Sequence, residues 1–539
     1  MSDFDCDWLV IGSGFGGSVS ALRLTEKGYK VVVLESGRRY RDEDFAKSIW
    51  DLRRYLWAPA LGMLGILRMT AFKDVFILSG SGVGGGSLVY ANTMYRALPG
   101  FFANPQWSAL GDWQAALTPH YETAERMLGV APVRCGGETE RLSRELAEHF
   151  GPQARFKNVQ AAVYFGAKGK TVPDPYFGGE GPARTGCRLC GACMVGCRHG
   201  AKNTLVKNYL WFAEKYGAEV MPERTVTDVR PIGAEDGSQG YVVRSERTGA
   251  WFRKETREIR TRAVIFSAGA LGTNRLLATC KLNGSLPGIS DRLGELVRTN
   301  SESVLAVTLP DDRLDPTESI AITSSVYPNE KTHIEFVTYG KDADGFSLNF
   351  TVMVGMGSRL ARPFKALARM ITHPRQLLRI LWPFKWSRRT IISVAMQPLD
   401  NAIRFRRRRG LFGRTRLSTE QDADKPTQSC IPENVEAVEW LAKRTGGTPQ
   451  GMIMDSFFNT PTTAHILGGA AIGADAGSGV VDSRQRVFGY ENMLICDGSV
   501  MPANPGVNPS LTITAMSELA MSSIPPAGGR PLHPGDAPH

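Results

Sequence analysis

The residues whose spacing carries most chemistry stand near the start of the chain. Gly12, Gly14 and Gly17 form G-x-G-x-x-G, and Glu35 follows at the distance of about twenty residues at which such motifs place an acid. The first glycine of such a motif permits a tight turn. The second lets backbone approach a pyrophosphate, and the third lets helix and strand pack closely. The unpaired N–H groups of the following helix then face the phosphates, and the acid accepts hydrogen bonds from ribose hydroxyls, favouring an unphosphorylated adenosine ribose. The motif alone does not separate NAD from FAD. A second cluster, Cys187, Cys190, Cys193 and Cys197, reads C-x2-C-x2-C-x3-C. Such spacing can wrap thiolates around a cuboidal iron–sulfur cluster, although no proline follows Cys197 and no second copy exists. Cys135, Cys280 or Cys430 are alternative ligands. Zinc, which normally uses two separated C-x2-C pairs, and free thiols are the other readings.

These residues need elements to position them. Trp8-Leu9-Val10-Ile11 is an apolar run leading into the glycines, residues 18–27 read as a helix closed by Gly28, and residues 30–34 as a strand ending at Glu35. Strand, glycine turn, helix, strand, acid is one βαβ unit. Further along, a glycine-rich turn covers residues 80–87 and helices are expected near 118–128, 204–216 and 511–520. A buried strand at 262–266 meets Ser267-Ala268-Gly269-Ala270, and strand-like runs occupy 303–309 and 347–354. Residues 525–539 are Pro/Gly-rich and expected to form a disordered tail.

The 539 residues, 42% apolar and 22% charged, suit a soluble globular protein of several domains. The net charge of +11 comes with no nucleic-acid motif, so no nucleic-acid partner is expected. Much of the basic charge lies in residues 359–389, with nine Lys or Arg and no acid, and residues 406–409 add a further basic run. Leu360, Phe364, Leu367, Ile371, Leu378 and Trp382 are interleaved there, broken by Pro363, Pro374 and Pro383. Two readings compete: short amphipathic helices lying on an anionic membrane, and a solvated basic flap over the active site. No apolar run reaches the roughly 18 to 20 residues of a membrane span; residues 58–69 are too few and include Arg68. With no signal-peptide pattern and nine cysteines that do not read as a disulfide framework, a cytoplasmic location is expected, peripheral to a membrane if the amphipathic reading holds.

Residues 80–87, continued by Leu88-Val89-Tyr90-Ala91-Asn92, resemble the glucose–methanol–choline (GMC) oxidoreductase family. So does Asp497-Gly498-Ser499, continued by Asn504-Pro505-Gly506-Val507-Asn508-Pro509. The likeness is greatest to the cholesterol-oxidase-like branch and extends, with gaps, over most of residues 7–525. It implies FAD, with Gly84, Gly85, Gly86, Ser87 and Asn92 lining the flavin. Ser267, Ala268 and Gly269 would close the adenosine side, and Asp497 and Gly498 would hold the diphosphate–ribityl region. His465, in Ala464-His465-Ile466-Leu467, resembles the family's active-site histidine, and Asn508 its asparagine partner; a neutral imidazole suits general-base work near pH 7. Cholesterol oxidases also place a substrate-domain glutamate near the reacting carbon. Glu335 is the nearest candidate, reads more readily as a plain strand residue, and is left outside the expected site.

The expected architecture is α/β: a Rossmann-like FAD-binding domain from residues 1–99, 200–299 and 460–524, with an inserted sheet-based substrate domain from 100–199 and 300–459. The expected activity removes a hydride from the CH–OH group of a bulky apolar alcohol, sterol-like or long-chain. A redox cluster would favour a dehydrogenase passing electrons to a protein or quinone. The alternatives are an oxygen-using oxidase and a non-catalytic flavin-bound docking module, against which intact His465 and Asn508 argue.

Overall fold

The computed structural model describes residues 4–355, 357–409 and 415–529. Two seven-stranded sheets organise it. In the first, strands Glu219–Met221, Val31–Leu34, Cys6–Ile11 and Arg257–Phe266 lie side by side in parallel, Met493–Ile495 pairs in parallel beside the last residues of Arg257–Phe266, and Tyr241–Arg247 and Arg224–Pro231 join antiparallel. Val31–Leu34 is buried along its whole length, as a continuous apolar run must be when both faces of a parallel sheet are covered. Helix Phe15–Glu26 starts directly after Gly14, three residues before the expected position, because the glycine turn passes straight into it.

The second sheet runs Phe350–Val352, Thr448–Met452, Ser303–Thr308, Thr390–Met396, His333–Val337, Ser324–Tyr327 and Arg155–Asn158, every pair antiparallel. Its two faces have different tasks. Leu305, Ile334, Phe336, Ile391 and Ala395 pack with helices Glu138–Phe150 and Pro432–Thr445 in one apolar cluster. The alternate residues, Val304, Glu335, Val337, Ile392 and Val394, line a cavity. The period of two along a strand sorts these sets, and Glu335 stands opposite Val394 in the register.

Phe101, Trp107, Trp113, Leu117 and Tyr121 belong to the core of the first sheet, and helix Trp113–Met127 packs on helix Ser510–Ser522, with Tyr121 Oη and Thr512 Oγ1 at 2.9 Å. Residues 100–127, assigned on sequence to the substrate half, thus share the cofactor half's core. Part of the expected tail is also ordered: Tyr29 Oη donates to Pro525 O (2.9 Å) and Ala527 N to Lys27 O (2.8 Å). Residues 530–539 lie outside the described residues. Among the described residues no helix is long and apolar enough to cross a membrane.

Candidate active site

One cavity of about 890 Å³ runs from Gly12, Gly14 and Glu35 past Asp497 and Gly498 to Glu335, His465 and Phe346. The three motif glycines serve it differently. Gly12 sits at φ +103°, and a Cβ there would lie 2.3 Å from Ser267 O; a Cβ on Gly17 would lie 2.0 Å from Gly12 O. Both are glycine because other backbone occupies the space. A Cβ on Gly14 would meet nothing within 4 Å, so this backbone faces open cavity. The helix that Gly14 begins has no side-chain cap, leaving its first N–H groups free for an anion. Glu35 is buried and already accepts hydrogen bonds from Ser13 N (3.0 Å) and Ser13 Oγ (2.8 Å) on one oxygen and Gly37 N (2.8 Å) on the other. Its carboxylate is thereby aimed, with lone pairs left for ribose hydroxyls. The same cavity is lined by Arg68 and Arg275. Arg68 is pushed down to about 10 by burial and then by Arg275, against the pull of Glu35, and its Nε has no hydrogen-bond partner. Two arginines lining one cavity fit a ligand that carries negative charge, as the FAD diphosphate does.

Asp497, Gly498, Ala268 and Gly269 all line the cavity. Asp497 is tied in place by Thr273 Oγ1 (2.5 Å) and Ser499 N (2.8 Å). Gly85 and Gly86 line it as well, but Gly84, Ser87 and Asn92 do not. Gly84 N donates to Ser13 Oγ at 3.1 Å, and Ser87 Oγ bridges Gly84 O (2.6 Å) and Leu205 N (3.1 Å). These two residues build the turn from behind. Asn92, at φ +70°, points the other way, into a small cavity beside the cysteines, with neither side-chain atom bonded. Of the five residues expected to line the flavin, Gly85 and Gly86 are the ones that line this cavity.

At the far end, His465 Nδ1 pairs with the carboxylate of Glu302, a contact sequence reasoning missed. Glu302 is 1% exposed, and its other oxygen accepts from Ala464 N at 2.7 Å. Burial works against a charged His465 ring, but the Glu302 charge and hydrogen bond, helped by Glu335, carry its pKa above the ordinary value. With Nδ1 committed, Nε2 is the nitrogen left for the cavity. Asn508 Nδ2 donates to Glu335 Oε2 at 3.2 Å. Burial pushes Glu335 up to about 8, against the Asn508 hydrogen bond and the His465 charge, with Glu302 adding to the rise. Asn508 Oδ1 and Glu335 Oε1 are buried without hydrogen-bond partners, His333 Nε2 standing 3.7 Å from the latter, and an unmade hydrogen bond of this kind costs about 1–3 kcal/mol that a bound hydroxyl would remove. Glu335 therefore belongs in the site from which sequence reasoning left it out. His333 does not line this cavity. It is buried between Tyr95 and Tyr327, and burial pushes it down to about 3.

The chain segments carrying these groups are held by polar clamps. Asn300, at φ +55°, donates from Nδ2 to Val507 O (3.0 Å) and accepts Gly506 N (2.9 Å), and its own N–H donates to Asn504 Oδ1 (2.8 Å). Buried Arg298 donates to Pro502 O (2.9 Å) and Asn401 O (2.8 Å) and pairs with Asp400 (2.8 Å). The Asn504–Asn508 turn, Glu302 and His465 are thus locked to one another.

Cys187, Cys190, Cys193 and Cys197 do surround one space, but it has room for about one water. Among the described residues no three of His, Cys, Asp or Glu converge as metal ligands. Burial first, then neighbouring cysteines, raises Cys187 to about 12, and burial raises Cys193 to about 11. Lys202 fills the remaining polar role, donating to Leu88 O, Tyr90 O and Cys193 O at 2.8 to 3.0 Å. Among the described residues this geometry gives no support to the iron–sulfur or zinc readings of the cysteine spacing.

A dinucleotide cradle continuous with an apolar chamber that ends in a histidine–carboxylate pair defines a flavin-type oxidoreductase site. The chain belongs to the GMC oxidoreductase family, whose profile matches residues 7–294 and 373–517, and is an FAD-dependent enzyme acting on CH–OH donors. It is 48% identical over 538 residues to a protein of Mycobacterium tuberculosis named cholesterol oxidase, covering 97% of this chain and 92% of that one. It is 45% identical over 533 residues to an Acinetobacter baumannii protein of the same name, covering 97% and 95%. The solved pyridoxine 4-oxidase from Mesorbium loti, at 14% identity and TM-score 0.58 over 96% of this chain and 99% of that one, shares the fold.

Proposed function

We propose that the chain oxidises a bulky apolar secondary or long-chain alcohol, sterol-like in shape, at its CH–OH carbon. The observation that carries this is the meeting of two polar pairs, His465–Glu302 and Asn508–Glu335, in a chamber otherwise lined by Val304, Ile322, Val337, Tyr339, Phe346 and Ile392. The names of the two relatives support a sterol. FAD, when bound, supplies the two-electron acceptor for the hydride. Gly14, Glu35, Arg68, Asp497 and the uncapped N-terminus of helix Ser510–Ser522 would hold it. His465 Nε2 takes the hydroxyl proton, and Glu302 orients the ring and stabilises the resulting imidazolium. Asn508 and Glu335 hold the substrate oxygen, and the apolar walls exclude water.

The case for a dehydrogenase rested on a redox cluster. Without ligand geometry at the cysteines that support is lost, and the relatives' names turn the reading toward dioxygen as acceptor. The test is anaerobic flavin bleaching across a panel of alcohols, followed by readmission of oxygen. Bleaching by sterols and long-chain alcohols with rapid reoxidation is expected; bleaching only by small polar alcohols would overturn the substrate reading, and slow reoxidation the acceptor.

A further inference from the structure

The basic, acid-free segment 359–389 folds as helices Ala361–Thr372 and Pro374–Leu381, followed by the turn Trp386–Arg389. The first helix is turned opposite to a normal surface helix. Leu360, Phe364, Leu367 and Ile371, spaced four, three and four apart, form one apolar face, and that face is the one in solvent: Leu360 is 84%, Phe364 76% and Ile371 70% exposed. The inner face is anchored. Arg362 is buried and paired with Asp455 at 2.8 Å, and Ala366 packs with Val352, Val354 and Ile380 in a small core. The helix cannot roll its apolar stripe inward without breaking this ion pair. Leu378, Leu381 and Trp382 of the second helix are exposed as well. Eight of the eighteen large apolar residues exposed among the described residues lie between 360 and 384, so the patch is concentrated and not scattered background.

We infer that this surface docks on an anionic phospholipid bilayer, beside the substrate end of the cavity. Both halves of the chemistry are present: an outward apolar stripe to enter the acyl boundary, and flanking cations, Arg375 and Arg379 among them, with no acid in the segment to repel anionic headgroups. An acidic protein would suit the charge but leave the apolar stripe unused. The end of the segment packs behind the cavity wall. Lys385 N and Ser387 N donate to the two Asp344 carboxylate oxygens at 2.9 Å, and Trp386 packs on Phe346, whose ring lines the cavity, at 6.3 Å. Docking there would bring a bilayer-dissolved apolar alcohol to the part of the fold that holds the substrate end of the chamber. This delivery rests on the function proposed above; the lipid contact rests on the surface alone.

The test is co-sedimentation of the full-chain holoenzyme with vesicles of phosphatidylcholine alone or mixed with phosphatidylglycerol, at low and high salt. Binding to mixed vesicles is expected to exceed that to neutral ones and to fall with salt. Phe364→Ser with Ile371→Ser, both fully surface changes, should weaken it by at least about tenfold, and Arg375→Gln with Arg379→Gln should remove the preference for anionic lipid. Turnover of detergent-dispersed alcohol should be unchanged in both variants. Equal binding by wild type and the serine variant overturns the proposal. So does a dimer in light scattering that the serine variant dissolves, which would assign the stripe to a second copy. Salt-insensitive binding to neutral vesicles overturns the anionic part. Vesicle binding in a protein that bleaches with no alcohol would sink the function alone.

Discussion

Asn508 Nδ2 donates to Glu335 Oε2 at 3.2 Å, joining the turn before the last helix to the middle of a strand 173 residues away. The bond ties the second sheet to the turn before helix Ser510–Ser522, and both residues line the cavity. It also holds a carboxyl group whose pKa burial has pushed up to about 8.

That raised pKa couples stability to pH. Folded Glu335 keeps its proton up to about pH 8, whereas an unfolded glutamate releases it near about 4.3. Between these values the folded state binds more protons, so this contribution to stability falls as pH rises. Thermal melts of Glu335→Gln between pH 5 and 9 should show a smaller decline in Tm than wild type; parallel declines would contradict the assignment.

His465→Ala should slow anaerobic flavin reduction by about 10² to 10⁴, the range for a positioned base. Bound flavin should be retained, because the cradle residues lie elsewhere in the cavity. Stopped-flow absorbance measures both, and unchanged reduction would remove His465 from the chemistry.

Glu302→Gln should act through the ring that it holds. The carboxylate raises the His465 pKa, so its loss moves the acidic limb of the kcat/KM profile to lower pH, and the plateau should fall by about 10² or more. A lower plateau with an unmoved limb would mean that Glu302 is structural only.

The glycines separate cofactor contact from packing. A methyl on Gly14 meets only open cavity, whereas one on Gly17 would stand 2.0 Å from Gly12 O. Gly14→Ala should fold with near wild-type far-ultraviolet dichroism but a low flavin-to-protein ratio. Gly17→Ala should lose stability as well, by at least about 1–3 kcal/mol of overpacking in denaturant melts.

By itself the sequence determined the cofactor turn and its βαβ unit, because the Gly17–Gly12 and Glu35–Ser13 contacts are made within thirty residues, although the Ser267 backbone that crowds Gly12 comes from far along the chain. It also marked His465 and Asn508 through the motifs beside them. Tertiary structure alone decided who partners them. Glu302 lies 163 residues from His465 and Glu335 173 from Asn508, and neither acid stands in a recognisable pattern; the two sheets must pack before these pairs exist. Structure also decided which side of the 84–92 turn faces the cavity, turning Gly85 and Gly86 inward while Gly84, Ser87 and Asn92 face protein. Cysteine spacing set how near the four thiols lie along the chain. Their directions depend on the loop's packing, which sets them around a space with room for about one water. In the same way the periodicity of residues 359–389 specified amphipathic helices, but only the Arg362–Asp455 pair beneath the first helix decided that its apolar face points outward.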